Sequence, residues 1–67
     1  MKIILNNREE VFDRNEMTVN ELLQIKNFSF KIITVKLNNI FIKKELYDTT
    51  IIKDGDIVAA IHMLTGG

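Results

Sequence analysis

Three short polar turns divide this chain into isoleucine-rich pieces: Asn6-Asn7, Asn38-Asn39 and Asp54-Gly55-Asp56. Their spacing leaves few folds open. Asparagine enters the left-handed region at less cost than most residues with a side chain, so each Asn-Asn pair suits a tight hairpin turn. Met1 to Leu5 is therefore expected as a strand that turns at Asn6-Asn7 and returns over Glu10 to Asp13. The β-branched stretch Ile32 to Leu37 predicts a further strand, and Asn38-Asn39 turns it back into a brief strand over Ile40 to Ile42. Lys43 to Tyr47 has room for a single helical turn. Asp54-Gly55-Asp56 then launches the last strand, Ile57 to His62.

Between the first hairpin and the Ile32 strand, Thr18-Val19-Asn20-Glu21 has the spacing of a capping box. The Thr18 hydroxyl can accept from the amide of Glu21, whose carboxylate can reach back to the amide of Thr18. A helix is expected from Thr18, with Met17 and Leu22 at the two staple positions. Val19, Leu22 and Leu23, joined by Ile25 or the stem of Lys26, form its apolar face at helical spacing. Asn27 and Ser29 keep it short.

The order is hairpin, helix, strand, short strand, turn, strand, and it resembles the β-grasp (ubiquitin-like) fold. The fold class expected is α+β, a mixed four- to five-stranded sheet packed on one main helix, as a single domain over residues 1–67. One short helix covers only one face of such a sheet. The last strand is apolar at every position from Ile57 to Ile61, so in either register it leaves apolar side chains on the open face. Ile4, flanked by Ile3 and Leu5, carries the same ambiguity. Scattered apolar surface residues are ordinary. Here the run leads directly into the chain's last residues, which favours a docking patch.

Composition narrows the function. At 67 residues without cysteine, the chain has neither disulfides nor a thiolate metal site to support a small core, and no thiol nucleophile. Its net charge is zero and its longest basic run is Lys43-Lys44, which gives a nucleic-acid backbone little to bind. Its longest apolar run is too short to span a bilayer, and no leader sequence is evident, so a cytoplasmic protein without membrane or nucleic-acid partners is expected. His62 is the only histidine and Ser29 the only serine, far apart in sequence, so no catalytic constellation is visible and no metal site is expected. A strand histidine is more often a packing or surface residue than a proton carrier. Asp54 and Asp56, on either side of Gly55, suit the turn itself better than a reactive carboxylate pair.

Gly66-Gly67 holds two of the chain's three glycines. At a glycine frequency of about 7%, such a pair would close a chain by chance roughly once in two hundred. Without Cβ atoms the backbone can enter a channel too narrow for side chains. A frayed end or an expression remnant is the bland reading; a carboxylate made to be handed to another protein is the sharper one.

Taken together, Thr18-Val19-Asn20-Glu21-Leu22-Leu23, Leu37-Asn38-Asn39, Lys53-Asp54-Gly55-Asp56 and Gly66-Gly67 resemble, in order and spacing, the sulfur-carrier family of thiamine biosynthesis known as ThiS. The resemblance covers essentially the whole chain. It implies a carrier, not an enzyme, whose Gly67 carboxylate is adenylated with ATP (with Mg) by a ThiF-type adenylating enzyme, the carrier itself binding no cofactor. A sulfur donor protein then supplies the sulfur of a thiocarboxylate, which a ThiG-type thiazole synthase consumes. It further implies a flexible tail over about residues 63–67, including Thr65 and Gly66, and a last strand whose odd positions face outward. Ile57, Ala59, Ile61 and Met63 are then the partner-docking candidates, with Val58 and Ala60 in the core. The family commonly has polar residues at the positions of Ile57 and Ala59, and often glycine at that of Asn39, so this chain departs there. Two alternatives stand beside this reading: a carrier like the small subunit of molybdopterin synthase, and a non-covalent β-grasp interaction module.

Overall fold

Both asparagine pairs turn the chain. Asn6 and Asn7 have φ of 51° and 70°, and Asn38 and Asn39 have φ of 50° and 70°, the successive left-handed residues that a two-residue hairpin requires. The structure is a computed structural model that describes residues 1–28 and 33–62. The expected start of a strand at Ile32, Ser29, and the tail with Met63, Thr65, Gly66 and Gly67 lie outside the described residues.

Strand β1 (Lys2–Leu5) pairs antiparallel with β2 (Arg8–Val11). The returning strand thus begins two residues before the expected Glu10, because a two-residue turn sets Arg8 directly opposite Leu5. It ends at Val11, where Phe12 turns in against the core, so Phe12 and Asp13 are not part of it. A three-residue strand β3 (Glu16–Thr18) runs into helix α1 (Val19–Ile25). After the helix come β4 (Ile33–Leu37), β5 (Ile40–Ile42), one 3-10 turn over Lys44–Leu46, β6 (Ile51–Lys53) and β7 (Ile57–His62).

The capping box forms as its spacing predicts. Glu21 N–H donates to Thr18 Oγ1 at 3.0 Å, and Thr18 N–H donates to Glu21 Oε1 at 2.8 Å. Thr18 is the cap, and the first helical residue is Val19. The helix ends after two turns, and Asn27 at φ 57° stops it. Val19, Leu22 and Leu23 are buried, as their spacing implies. Ile25 is not part of that face; it is 51% exposed. Lys26 takes the flanking place instead, half-buried, with its Nζ 3.1 Å from Glu10 Oε1.

The main sheet has the order β2-β1-β7-β4-β5, with β7 parallel to β1 and antiparallel to β4. Five strands with one helix against one face make the β-grasp arrangement. Its inner face gives Ile3, Leu5, Val35, Val58 and Ala60 to a core completed by Val19, Leu22 and Leu23 of the helix. Tyr47 closes one side of that core, its hydroxyl donating to the Ile33 carbonyl at 3.4 Å, and burial raises its pKa above 10.0. The two-stranded sheet β3-β6 was not anticipated from the sequence. It sets Met17 opposite Ile52, both fully buried, and adds them to the same core.

The Asp54-Gly55-Asp56 turn is held by its own carboxylates. Lys2 N–H donates to Asp54 Oδ1 at 2.7 Å and Lys53 N–H to Asp56 Oδ2 at 2.8 Å, while Gly55 takes φ 88°. These aspartates serve the turn, as the sequence suggested.

Removing the cap with Thr18→Ala should lower the unfolding free energy by about 1 kcal/mol. The Thr18 amide, aided by Arg14, holds the Glu21 carboxyl below its ordinary value of 4.5, against a smaller opposing effect of desolvation. A carboxyl depressed in the folded state contributes stability above its unfolded value and loses it as pH falls through the folded one. Urea denaturation between pH 7 and pH 3 should therefore show an acid loss of stability that is smaller in Glu21→Gln.

Candidate functional site

The candidate site is the face of the sheet that the helix does not cover. Strand side chains alternate between faces, so once Val58 and Ala60 are buried, Ile57, Ala59 and Ile61 must point the other way. Ile57 is 57% exposed and Ile61 is 51% exposed, with Ala59 half-buried between them. This is the odd-outward parity that the family resemblance implied. Met63, the fourth docking candidate, lies outside the described residues, as do Thr65, Gly66 and Gly67.

Register extends this column of β7 into a surface. Ile4 stands directly opposite Ile57 and shares its face, which settles the ambiguity at Ile4: Ile3 and Leu5 are buried and Ile4 points outward. On the other side, Ala59 stands opposite Lys36, and Lys36 stands opposite Phe41, which is 58% exposed. Thr34 stands opposite Ile61. The open face thus carries an apolar band of Ile4, Ile57, Ala59, Ile61 and Phe41, with Lys36 inside it and Lys2, Glu9 and Val11 sharing the face at the β1–β2 edge. Sequence reasoning missed Phe41 and Lys36. The signal was present, because a two-residue turn at Asn38-Asn39 makes Leu37 face Ile40 and hence Lys36 face Phe41.

His62 ends β7 opposite Ile33, with its side chain exposed. Among the described residues, no cluster of three or more histidine, aspartate or glutamate side chains could hold a metal ion. No helix of the described residues is long and apolar enough to cross a membrane. On the helix side, Leu5, Asn6, Arg8, Glu10, Lys26 and Phe28 line an open cleft of about 280 Å³. The Glu10–Lys26 ion pair crosses it, so two of its charged groups are already matched.

Such a site offers an apolar platform on the open face of β7 and its neighbours. The fold and this face define a small β-grasp protein. The ThiS family model matches residues 2–67, and the chain belongs to the ThiS family. Its structure is similar to the crystal structure of the thiamine biosynthesis protein ThiS from Geobacter metallireducens, at 30% identity over 100% of both chains and a TM-score of 0.91. The solution structure of a thiamine biosynthesis protein from the same organism is also similar, at 30% identity over 100% of this chain and 88% of that one, with a TM-score of 0.76. No curated protein sequence matches the chain.

Because the outer residues of β7 support no core, Ile57→Asp and Ile61→Asp should each cost no more than about 1 kcal/mol of stability. Leu22→Ala, in the core, should cost about 2–5 kcal/mol. Thermal and urea unfolding of the three variants measure the contrast.

Proposed function

We infer that this protein is a sulfur carrier of thiamine biosynthesis, acting through the carboxyl group of Gly67 and not through any side chain. The observation that carries the reading is the family match, which runs through the Gly-Gly pair to residue 67. The similar Geobacter metallireducens proteins, both described as thiamine biosynthesis proteins, support the same pathway.

The chemistry explains the need for a partner. A carboxylate resists nucleophiles because of its charge and resonance, so it must first acquire a leaving group. On this reading a Gly67 carboxylate oxygen attacks the α-phosphorus of Mg-bound ATP on a ThiF-type enzyme and pyrophosphate leaves. The carbonyl carbon, now in a mixed anhydride, is attacked by the terminal sulfur of a donor protein's persulfide as AMP departs; a second thiol then cleaves the S–S bond of the acyl disulfide, becoming disulfide-bonded to the donor, and a ThiG-type thiazole synthase receives the released thiocarboxylate. Ordering tail residues for this chemistry costs roughly 1–2 kcal/mol each. The apolar band of Ile4, Ile57, Ala59, Ile61 and Phe41 is the surface whose burial offsets that cost, and Thr65 and Gly66 are the tail that reaches the nucleotide.

Incubation with ATP, an active ThiF-type enzyme and a sulfur donor, followed by mass spectrometry, should show one oxygen replaced by sulfur at Gly67. An unchanged mass with a demonstrably active enzyme would sink the carrier reading and favour a non-covalent module. Deleting Gly67 should abolish adenylation and leave the melting temperature unchanged. Complementation of thiamine and molybdopterin auxotrophs should succeed only for thiamine. Ile61→Asp should raise the carrier's KM for adenylation about tenfold, corresponding to about 1.4 kcal/mol of docking energy.

A further inference from the structure

We propose that Asn6 is a positioning residue for the carrier reaction, its side chain holding the part of β7 that precedes residues 63–67 in sequence. This inference rests on the function proposed above and concerns β7 alone.

The even-numbered residues of β7 turn their backbone groups toward β1. Ile4 N–H donates to the Asp56 carbonyl at 3.0 Å, and Asn6 N–H donates to the Val58 carbonyl at 2.9 Å. At Asn6 the main chain takes φ 51° and departs into the hairpin, so β1 has no further residue to offer. Its side chain continues the ladder instead. Ala60 N–H donates to Asn6 Oδ1 at 2.8 Å, and Asn6 Nδ2 donates to the Ala60 carbonyl at 3.1 Å. One carboxamide thus satisfies both backbone groups of Ala60, two residues before β7 ends at His62.

The other hairpin supplies an internal comparison. Asn38, in the equivalent turn position, places its Oδ1 2.9 Å from Ile57 N–H, while its Nδ2 donates to Asp56 Oδ1 at 3.1 Å. Both asparagines therefore pin β7 with their side chains. Asn38 pins its beginning, on the β4 side; Asn6 pins it near its end, on the β1 side.

The end is where the difference matters. With Asn6 in place, β7 is tied on its β1 side as far as Ala60, while β4 pairs with it through His62. Without it, β7 past Val58 is held by β4 alone, and each residue that frays must be ordered again at a cost of about five- to thirtyfold in affinity. Once the tail is seated the chemistry is unaltered, so the loss falls on KM and not on kcat.

Glycine tolerates the positive φ at both positions, so Asn6→Gly and Asn38→Gly delete the side-chain bonds while retaining the turns. Asn6→Gly should speed hydrogen exchange at the Ala60 amide and raise the carrier's KM about tenfold with kcat unchanged. Asn38→Gly should speed exchange at Ile57 and leave KM within about twofold of the unsubstituted protein. Asn6→Asp, which can still accept from Ala60 N–H but not donate to its carbonyl, should give an intermediate KM. Unchanged exchange at Ala60 in Asn6→Gly, or equal KM values in the two glycine variants, overturns the inference. Failure of the unsubstituted protein to be adenylated by an active enzyme overturns the functional reading and this inference with it.

Discussion

Everything in this fold depends on the placement of β7 between β1 and β4. The chain's last strand is the middle strand of its sheet, so its register fixes both surfaces at once. Leu5 opposite Val58 and Val35 opposite Ala60 close the core, while Ile4 opposite Ile57 and Lys36 opposite Ala59 build the open face. A slip of one residue would bury Ile57, Ala59 and Ile61 and expose Val58 and Ala60. The apolar character of both sets tolerates that exchange poorly for a geometric reason: Ala59 and Ala60 differ little, but Ile57 and Ile61 would have to occupy the space now filled by smaller side chains against α1. The polar ties at Asn6, Asn38 and Asp56 select the observed register independently of side-chain volume.

With one helix for two faces, the molecule divides its labour. The inner face provides stability through Ile3, Leu5, Val35 and Val58 packed on Val19 and Leu22, which are all but fully buried. The outer face is released from that duty and can be shaped by recognition. Lys36 illustrates the difference. Set among Ala59 and Phe41, its charge stands inside the apolar band, while Lys2 and Glu9 share the face at its β1–β2 edge. In the proposed function, a partner surface must carry apolar area and accommodate these charges. In the proposed function the outer face handles affinity and the terminal carboxyl handles chemistry, so neither needs a catalytic side chain.

Local chemistry made much of this legible from the residues alone. Thr18 and Glu21 announced the helix start because a capping box is closed within four residues, and Asn6-Asn7 and Asn38-Asn39 announced hairpins because positive φ is a property of single residues. The outward parity of Ile57, Ala59 and Ile61 followed from the family resemblance, since an all-apolar strand does not reveal which side is in. What was illegible is nonlocal or too short. Strands β3 and β6 have three residues each, below the length at which alternation can be read, and exist because Met17 and Ile52 meet across 35 positions of sequence. The choice between Ile25 and the stem of Lys26 stayed open because a seven-residue helix spans only two turns, too few for spacing to decide its flank. The roles of the Asn6 and Asn38 side chains were hidden for the same reason: their partners belong to a strand that lies far away in sequence.

The central position of the final strand also bears on the order of events during synthesis. β7 follows both β1 and β4 in the chain and so is made after them, yet those two strands meet only through it. Until it emerges, the first hairpin and the β4-β5 hairpin have no shared sheet, and forming one requires closing nearly the full chain length. A translation product cut short before Ile57 therefore lacks the element that joins its two halves. Assembly of the five-stranded sheet is therefore conditional on β7, since neither hairpin by itself supplies the strand that joins them.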